Sequence, residues 1–178
     1  IRSFDINKPG CAIADLKGGV AGGSIVKGVL KIGDEIEIRP GNTQKDPETG
    51  KMTCRPIFTK IVSLMAEDNQ LLYAIPGGLI AVGTLLDPAL TKADQLVGNI
   101  IGLQGNLPDV YEELEIEYYL LKRLVGVVGG PSSGADANQI GNLTSGEILM
   151  VNVGSTGCGC KVVSINQTTK KTKIKLIR

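Results

Sequence analysis

The chain has 178 residues, 42% hydrophobic and 21% charged, with a formal net charge of +1. Such a length and balance fit one large or two small folded domains, and so small a net charge excludes a strong molecule-wide attraction to nucleic acid or acidic membranes. The absence of histidine excludes ordinary Ser-His and Cys-His nucleophile pairs.

The sequence opens on Ile1, with no signal-peptide pattern after it, so a fragment or processed chain is expected. Arg2–Ile6 is a short strand bounded by the turn formers Asn7, Pro9 and Gly10. The pairs Gly18-Gly19 and Gly22-Gly23 precede the next strand pattern. Paired glycines there suit a tight corner into a barrel wall, where backbones approach closely. In Ser24–Gly33, Val26, Leu30 and Ile32 share an inward face, with Lys27 and Lys31 opposite. A Gly33-Asp34 turn then makes a hairpin with Glu35–Arg39, whose Ile36 and Ile38 point inward and Glu35, Glu37 and Arg39 outward. Pro40–Pro56 is too polar and too rich in Pro and Gly for an element, and is long for a hairpin loop.

Strands resume in Ile57–Met65, Leu71–Ile75, Gly78–Gly83 and Leu96–Leu103. The apolar run Leu71–Leu86 is shorter than the roughly 20 residues of a spanning helix and is broken at Pro76-Gly77-Gly78. It reads as two buried strands and a turn, and no membrane association is expected. Gly102–Val110, with two glycines, a proline and no periodicity, is the expected domain boundary. Leu114–Val127 favours a strand, with a helix still open. Gly129–Gly146 is a loop by composition, and Glu147–Gly154, Cys160–Ile165 and Thr172–Ile177 are three further strands. Many short strands with Gly/Pro turns give an all-β class of sandwiches or barrels.

Chemistry is sparse. There is no phosphate-binding loop, and Glu112, Glu113, Glu115 and Glu117 read as a solvated strand face. Cys11, Cys54, Cys158 and Cys160 form no Cys-x-x-Cys pair, which favours reduced structural thiols over a metal or redox site. On a strand, Cys158 and Cys160 would face one side. The basic residues fall into small groups: Lys8 with Lys17, Lys122-Arg123, and the tail Lys170, Lys171, Lys173 and Lys175. The tail reads as an edge strand protected by lysines in preference to an RNA contact. Any RNA contact would touch phosphates rather than bases, since four Tyr and two Phe give few stacking platforms.

The stretch GGVAGGSIVKGVLKIGDEIEIRPG, Gly18–Gly41, resembles the second domain of translational GTPases. Together with RSFDINKPGC, CRPIFTKIVSL, PGGLIAVGTLLDPALTKAD and GEILMVNVGS, it resembles more finely the gamma subunit of eukaryotic or archaeal translation initiation factor 2. The likeness covers most of the chain in the family's order. It implies two small β-barrels of the translational-GTPase domain 2 and domain 3 type, the second incomplete. The implied boundaries are a second-domain barrel over 1–103, a linker over 104–110 and part of a third-domain barrel over 111–178. Cys158 and Cys160 depart from the small residues expected after Ser155-Thr156-Gly157 and read as packing substitutions.

The resemblance also implies the work. The family uses GTP to carry methionyl initiator tRNA to the small ribosomal subunit, so this stretch would be a cytoplasmic binding module with no catalytic or metal-binding residues of its own. GTP and magnesium would belong to the family's first domain, absent from this sequence. Implied partners are the alpha and beta subunits of the factor, the initiator tRNA and the small ribosomal subunit. Carried over by position, Asn7, Lys8, Pro9 and Asp15 would meet the alpha subunit. Lys17, Gly18, Gly19, Val20, Gly22 and Gly23, with Pro76, Gly77 and Gly78, would face the GTPase domain and the tRNA end. Two alternatives stand beside this: the barrels of an elongation-factor-type GTPase, against which RSFDINKPG and PGGLIAVGT argue, and a β-barrel scaffold outside translation.

Overall fold

The computed structural model describes residues 1–121, 141–154 and 156–177. They fall into two compact units, Ile1–Val110 with Gly154–Thr156, and Tyr111–Val153 with Gly157–Arg178. The chain is all-β.

The first unit runs through β1 (Arg2–Phe4), β2 (Val20–Gly23), β3 (Leu30–Lys31), β4 (Glu35–Lys45), β5 (Met52–Ala66), β6 (Asn69–Leu71), β7 (Tyr73–Ala74), β8 (Ile80–Thr84), the short helix α1 (Pro88–Thr91) and β9 (Ile100–Leu103). One antiparallel sheet has the order β1-β2-β8-β5-β4-β9, with β6 added to β5, while β3 and β7 form a separate two-stranded ribbon. The length of β5 makes the curl possible, because its first half pairs with β4 and its second half with β8. The sheet's ends also meet, since the Gly98 amide, just before β9, donates to the Ile1 carbonyl beside β1 at 3.3 Å. The core inside is Ile36, Ile61, Leu64, Ile80 and Val82, with Ile38, Leu86 and Leu96 adjoining. Each such side chain contributes about 1.5–3 kcal/mol on burial.

Alternation places Ile36 and Ile38 inward, as expected. Its outward half fails at Glu37, which is 1% exposed because Arg39 and the Gly105 amide cover and satisfy it. The expected hairpin at Gly33-Asp34 is not one. A turn is present, with the Asp34 carboxylate accepting from the Lys31 amide at 2.8 Å, but β3 pairs with β7 and β4 with β5 and β9. Of the predicted inward face only Leu30 packs on the core; Val26 is 94% exposed and Ile32 is exposed as well. Nor is Pro40–Pro56 a loop. β4 and β5 extend through it as a two-stranded arm closed by a turn at 46–51. There Asp46 accepts from the Glu48 amide at 3.0 Å and the Thr49 hydroxyl at 2.6 Å, and these bonds, Thr49 first, hold its carboxyl below the usual value. Toward the tip of the arm only Thr43, Met52 and Cys54 are even half-buried, too little cover to impose an apolar alternation, so its composition resembles a loop. The apolar run Leu71–Leu86 does turn at Pro76–Gly78, but Leu72, Tyr73, Ile75, Leu79 and Leu85 are exposed rather than buried. Leu96–Asn99 is a turn, not the start of β9.

The second unit has β10 (Glu113–Glu117), β11 (Ile148–Val153), β12 (Thr156–Asn166) and β13 (Lys171–Ile177), ordered β10-β13-β12-β11. Cys160, Val162 and Ile174 are its core, flanked by Leu114, Ile116, Leu149 and Leu176. The lysine tail is therefore not an edge strand. β13 lies between β10 and β12, and its lysines meet the β10 glutamates: Lys173 Nζ is 2.6 Å from Glu113 and Lys171 Nζ 3.1 Å from Glu115. Hydrogen bonding to Lys173 holds the Glu113 carboxyl below its ordinary value. The strand expected over Leu114–Val127 ends at Glu117 among the described residues. Lys122-Arg123 and most of the predicted Gly129–Gly146 loop lie outside them.

Candidate functional site

The segment between β1 and β2 is an ordered loop pinched at its neck. Asn7 Nδ2 donates to the Lys17 carbonyl at 2.7 Å, and Asn7 Oδ1 accepts from the Lys17 amide at 2.8 Å. Asp5 steadies the asparagine, accepting from its amide nitrogen at 2.8 Å and from Nδ2 at 2.7 Å. Within the loop the Cys11 amide donates to the Lys8 carbonyl at 3.1 Å, and Ile13–Asp15 form one 3₁₀ turn. A pinched loop can hold apolar side chains in water without collapse: Ile13 is 89% exposed, and Ile6 and Leu16 are exposed beside it. Lys8, Pro9, Asp15 and Lys17 are exposed too, and no side-chain hydrogen bond of Asp15 occurs among the described residues. An open hollow of about 710 Å³ lies between this loop and the Lys92–Asp94 turn, lined by Phe4, Asn7, Lys8, Leu16 and Lys92.

The glycine corner follows at once. A methyl group on Gly18 would sit 1.9 Å from the Thr84 carbonyl oxygen, and one on Gly19 2.3 Å from the Thr91 side chain. Backbone bonds draw the corner in: the Gly19 amide donates to Leu86 O at 2.9 Å, and Gly19 O accepts from the Thr84 amide at 3.1 Å and hydroxyl at 2.7 Å. Thr91 is carried there by α1, capped by Asp87, which accepts from the Ala89 amide at 2.9 Å. Gly18 and Gly19 are thus explained by close packing. Gly22 and Gly23 lie inside β2 rather than before a strand.

Gly19 and Val20 are buried, so neither offers a side chain to a partner. Pro76, Gly77 and Gly78 form an exposed turn before β8. Because Gly23 pairs with Ile80 and Val20 with Gly83, that turn lies beyond the Gly23 end of β2, while Lys17 and Gly18 lie beyond the other. The two groups are separated by the strand's length, about 10 Å. The fold therefore joins Lys17 to Asn7 rather than to the Pro76–Gly78 turn. The joining residue, Asn7, was legible as a turn former but not as a clamp, since its partner is ten positions away.

Among the described residues no group of His, Cys, Asp or Glu is arranged to hold a metal. Cys158 and Cys160 both lie on β12, where Cys160 is fully buried. Among the described residues no helix is long and apolar enough to cross a membrane.

Two family models match the chain. That of elongation factor Tu domain 2 covers residues 18–105, and that of initiation factor eIF2 gamma, C terminal, covers residues 112–178. The sequence is 60% identical, over 91% of its length, to eukaryotic translation initiation factor 2 subunit 3 of Drosophila melanogaster. It is 54% identical, over 96% of its length, to eukaryotic translation initiation factor 2 subunit gamma of Schizosaccharomyces pombe. The chain belongs to the initiation factor 2 gamma family. It spans 34% and 37%, about a third, of those two gamma-family relatives. In fold it is similar to a crystal structure of a bacterial selenocysteine-specific elongation factor, EF-Sec, with a TM-score of 0.62 at 16% identity, covering 99% of this chain and 22% of that one.

Proposed function

We propose that this chain is a binding module in translation initiation, part of the gamma subunit of the factor that delivers methionyl initiator tRNA to the small ribosomal subunit. The observation that carries the reading is 54–60% identity to gamma-family proteins over more than nine-tenths of the chain. An elongation-factor-type barrel is not favoured, because residues 112–178 match the gamma C-terminal model. The module contributes contacts, not chemistry. GTP and magnesium are handled by another part of the longer protein, in the cytoplasm, where the beta subunit also joins the assembly.

Within the module, the Asn7–Lys17 loop docks the alpha subunit. Its pinched neck lowers the ordering cost of binding, Ile13 and Leu16 supply apolar contact, and Lys8, Asp15 and Lys17 supply orientation. The exposed Pro76–Gly78 turn, beyond the Gly23 end of β2, serves the tRNA end and the GTPase domain. Calorimetry against the alpha subunit's C-terminal domain, without nucleotide or tRNA, tests the docking. Asp15→Lys should weaken binding, chiefly by slowing association in a salt-dependent way, with the melting temperature unchanged. Unchanged affinity would remove the loop from the interface.

A further inference from the structure

Glu37 and Arg39 stand on the outer face of β4, two residues apart, where solvent is the ordinary neighbour. Both are instead covered by the segment that follows β9. Glu37 Oε1 accepts from Arg39 Nε at 2.5 Å, and its other oxygen accepts from the Gly105 amide at 3.1 Å. Arg39 Nη1 donates to the carbonyls of Leu107 at 3.1 Å and Pro108 at 2.9 Å, and lies 3.4 Å from Asp109 Oδ1. Glu37 is paired across the sheet with Gly102. A methyl group on Gly102 would sit 2.5 Å from Leu107 Cδ2, so the leucine occupies the space that the glycine leaves. The Asn106 amide, bonded to Leu103 O at 3.0 Å, completes the fold-back.

We propose that Arg39 and Glu37 act as a buckle that straps residues 104–109 to the first unit. On the other side, the Glu112 carbonyl already accepts from the Leu176 amide of the second unit at 2.9 Å. The first of the chain's passages between the units is thereby confined to Val110 and Tyr111, both exposed, and the chain returns to the first unit at Gly154–Thr156. A stretch whose composition suits a flexible linker is held to the first unit by one guanidinium. Arginine is needed for this, because a planar fork reaches two carbonyls and a carboxylate at once, which a lysine ammonium cannot do in the same geometry.

The test uses the full chain with Arg39→Lys, which keeps a cation beside Glu37, and Arg39→Met, which does not. Hydrogen exchange at Gly105 and Asn106 should accelerate at least about tenfold in both, while β8 amides keep their rate. Should Arg39→Met fail to fold, Arg39→Lys alone decides. Wild-type exchange at 105 and 106, or equal acceleration throughout β8, would each overturn the buckle.

Discussion

The Asn7 side chain holds both backbone polar groups of Lys17, ten residues along, at 2.7 and 2.8 Å. Its primary amide takes the place of a β-ladder rung, closing a loop that has no ladder of its own. Everything between the two residues is positioned by that pair of bonds, including the 3₁₀ turn with Ile13 and Asp15.

Asn7→Ala removes three exposed side-chain hydrogen bonds and should cost about 1–3 kcal/mol, read by denaturant unfolding. The stability loss should come with faster proteolysis inside 8–16. A variant with wild-type stability and wild-type cleavage would show that the loop is held by other means.

The glycines separate by what surrounds them. Gly18→Ala and Gly19→Ala place a methyl 1.9 and 2.3 Å from Thr84 O and the Thr91 side chain. Overpacking of this kind costs about 1–3 kcal/mol or more, and the Thr84 backbone has no rotamer with which to yield. Gly22→Ala meets Phe4 Cε1 at 3.5 Å and the Ile80 carbonyl oxygen at 3.8 Å, both ordinary contacts, and should stay within about 0.5 kcal/mol. Thermal unfolding of the three variants checks the order.

How much of this was legible follows from the range of the interactions. Ile36 and Ile38 were readable because a period of two reports a buried face directly. Glu37 was not, since its cover comes from Gly105, 68 residues on, and no local pattern encodes that fold-back. The β4–β5 arm was lost for the opposite reason: among Asn42–Lys45 and Met52–Arg55 only Thr43, Met52 and Cys54 are even half-buried, too little cover to impose an apolar alternation. The lysines of β13 were misplaced at an edge, although Glu113, Glu115 and Glu117 alternate in the matching rhythm and could have been read as their partners. In the candidate loop the turn formers and charges were visible. The exposure of Ile13 was not, because it rests on the Asn7 clamp.

Acid should loosen the buckle. The Glu37 carboxyl is held below its ordinary value of 4.5, chiefly by the hydrogen bond from Arg39, with the Gly105 amide and the Arg39 charge assisting against burial. The folded value lies below the unfolded one. Its contribution is therefore complete above about pH 4.5 and is lost as pH falls through the folded value. Glu37→Gln should be less stable than the wild type at neutral pH, and the two melting curves should converge below pH 4.5. The acid limb flattens only in part, because the Asp46 and Glu113 carboxyls are held low as well. Parallel curves down to pH 3 would contradict the assignment.

Thiol reactivity should follow exposure. Cys11 is exposed, Cys54 and Cys158 are half-buried, and Cys160 is enclosed. A disulfide reagent under native conditions should modify Cys11 first and leave Cys160 untouched until unfolding. Early modification of Cys160 would mean that the second unit's sheet opens on the timescale of the reaction.

Ile13 offers the sharpest separation of docking from folding. A side chain 89% exposed contributes almost nothing to the fold, so Ile13→Ser should leave the unfolding midpoint within about 0.5 kcal/mol of the wild type. At an interface the same side chain would be desolvated at the centre of the loop, flanked by Leu16 and rimmed by Lys8 and Asp15. Truncation of a central apolar anchor costs about 2 kcal/mol or more, near a thirtyfold loss of affinity for the alpha subunit's C-terminal domain. Most of that loss should appear as faster dissociation, since the charges that steer encounter are untouched. Asp15→Lys should instead change the association rate and its salt dependence. Two variants two residues apart, one acting on dissociation and one on association, are the signature of an apolar centre with a charged rim. Equal affinities for Ile13→Ser and the wild type would show that the turn faces water in the assembled factor and that the alpha subunit docks elsewhere.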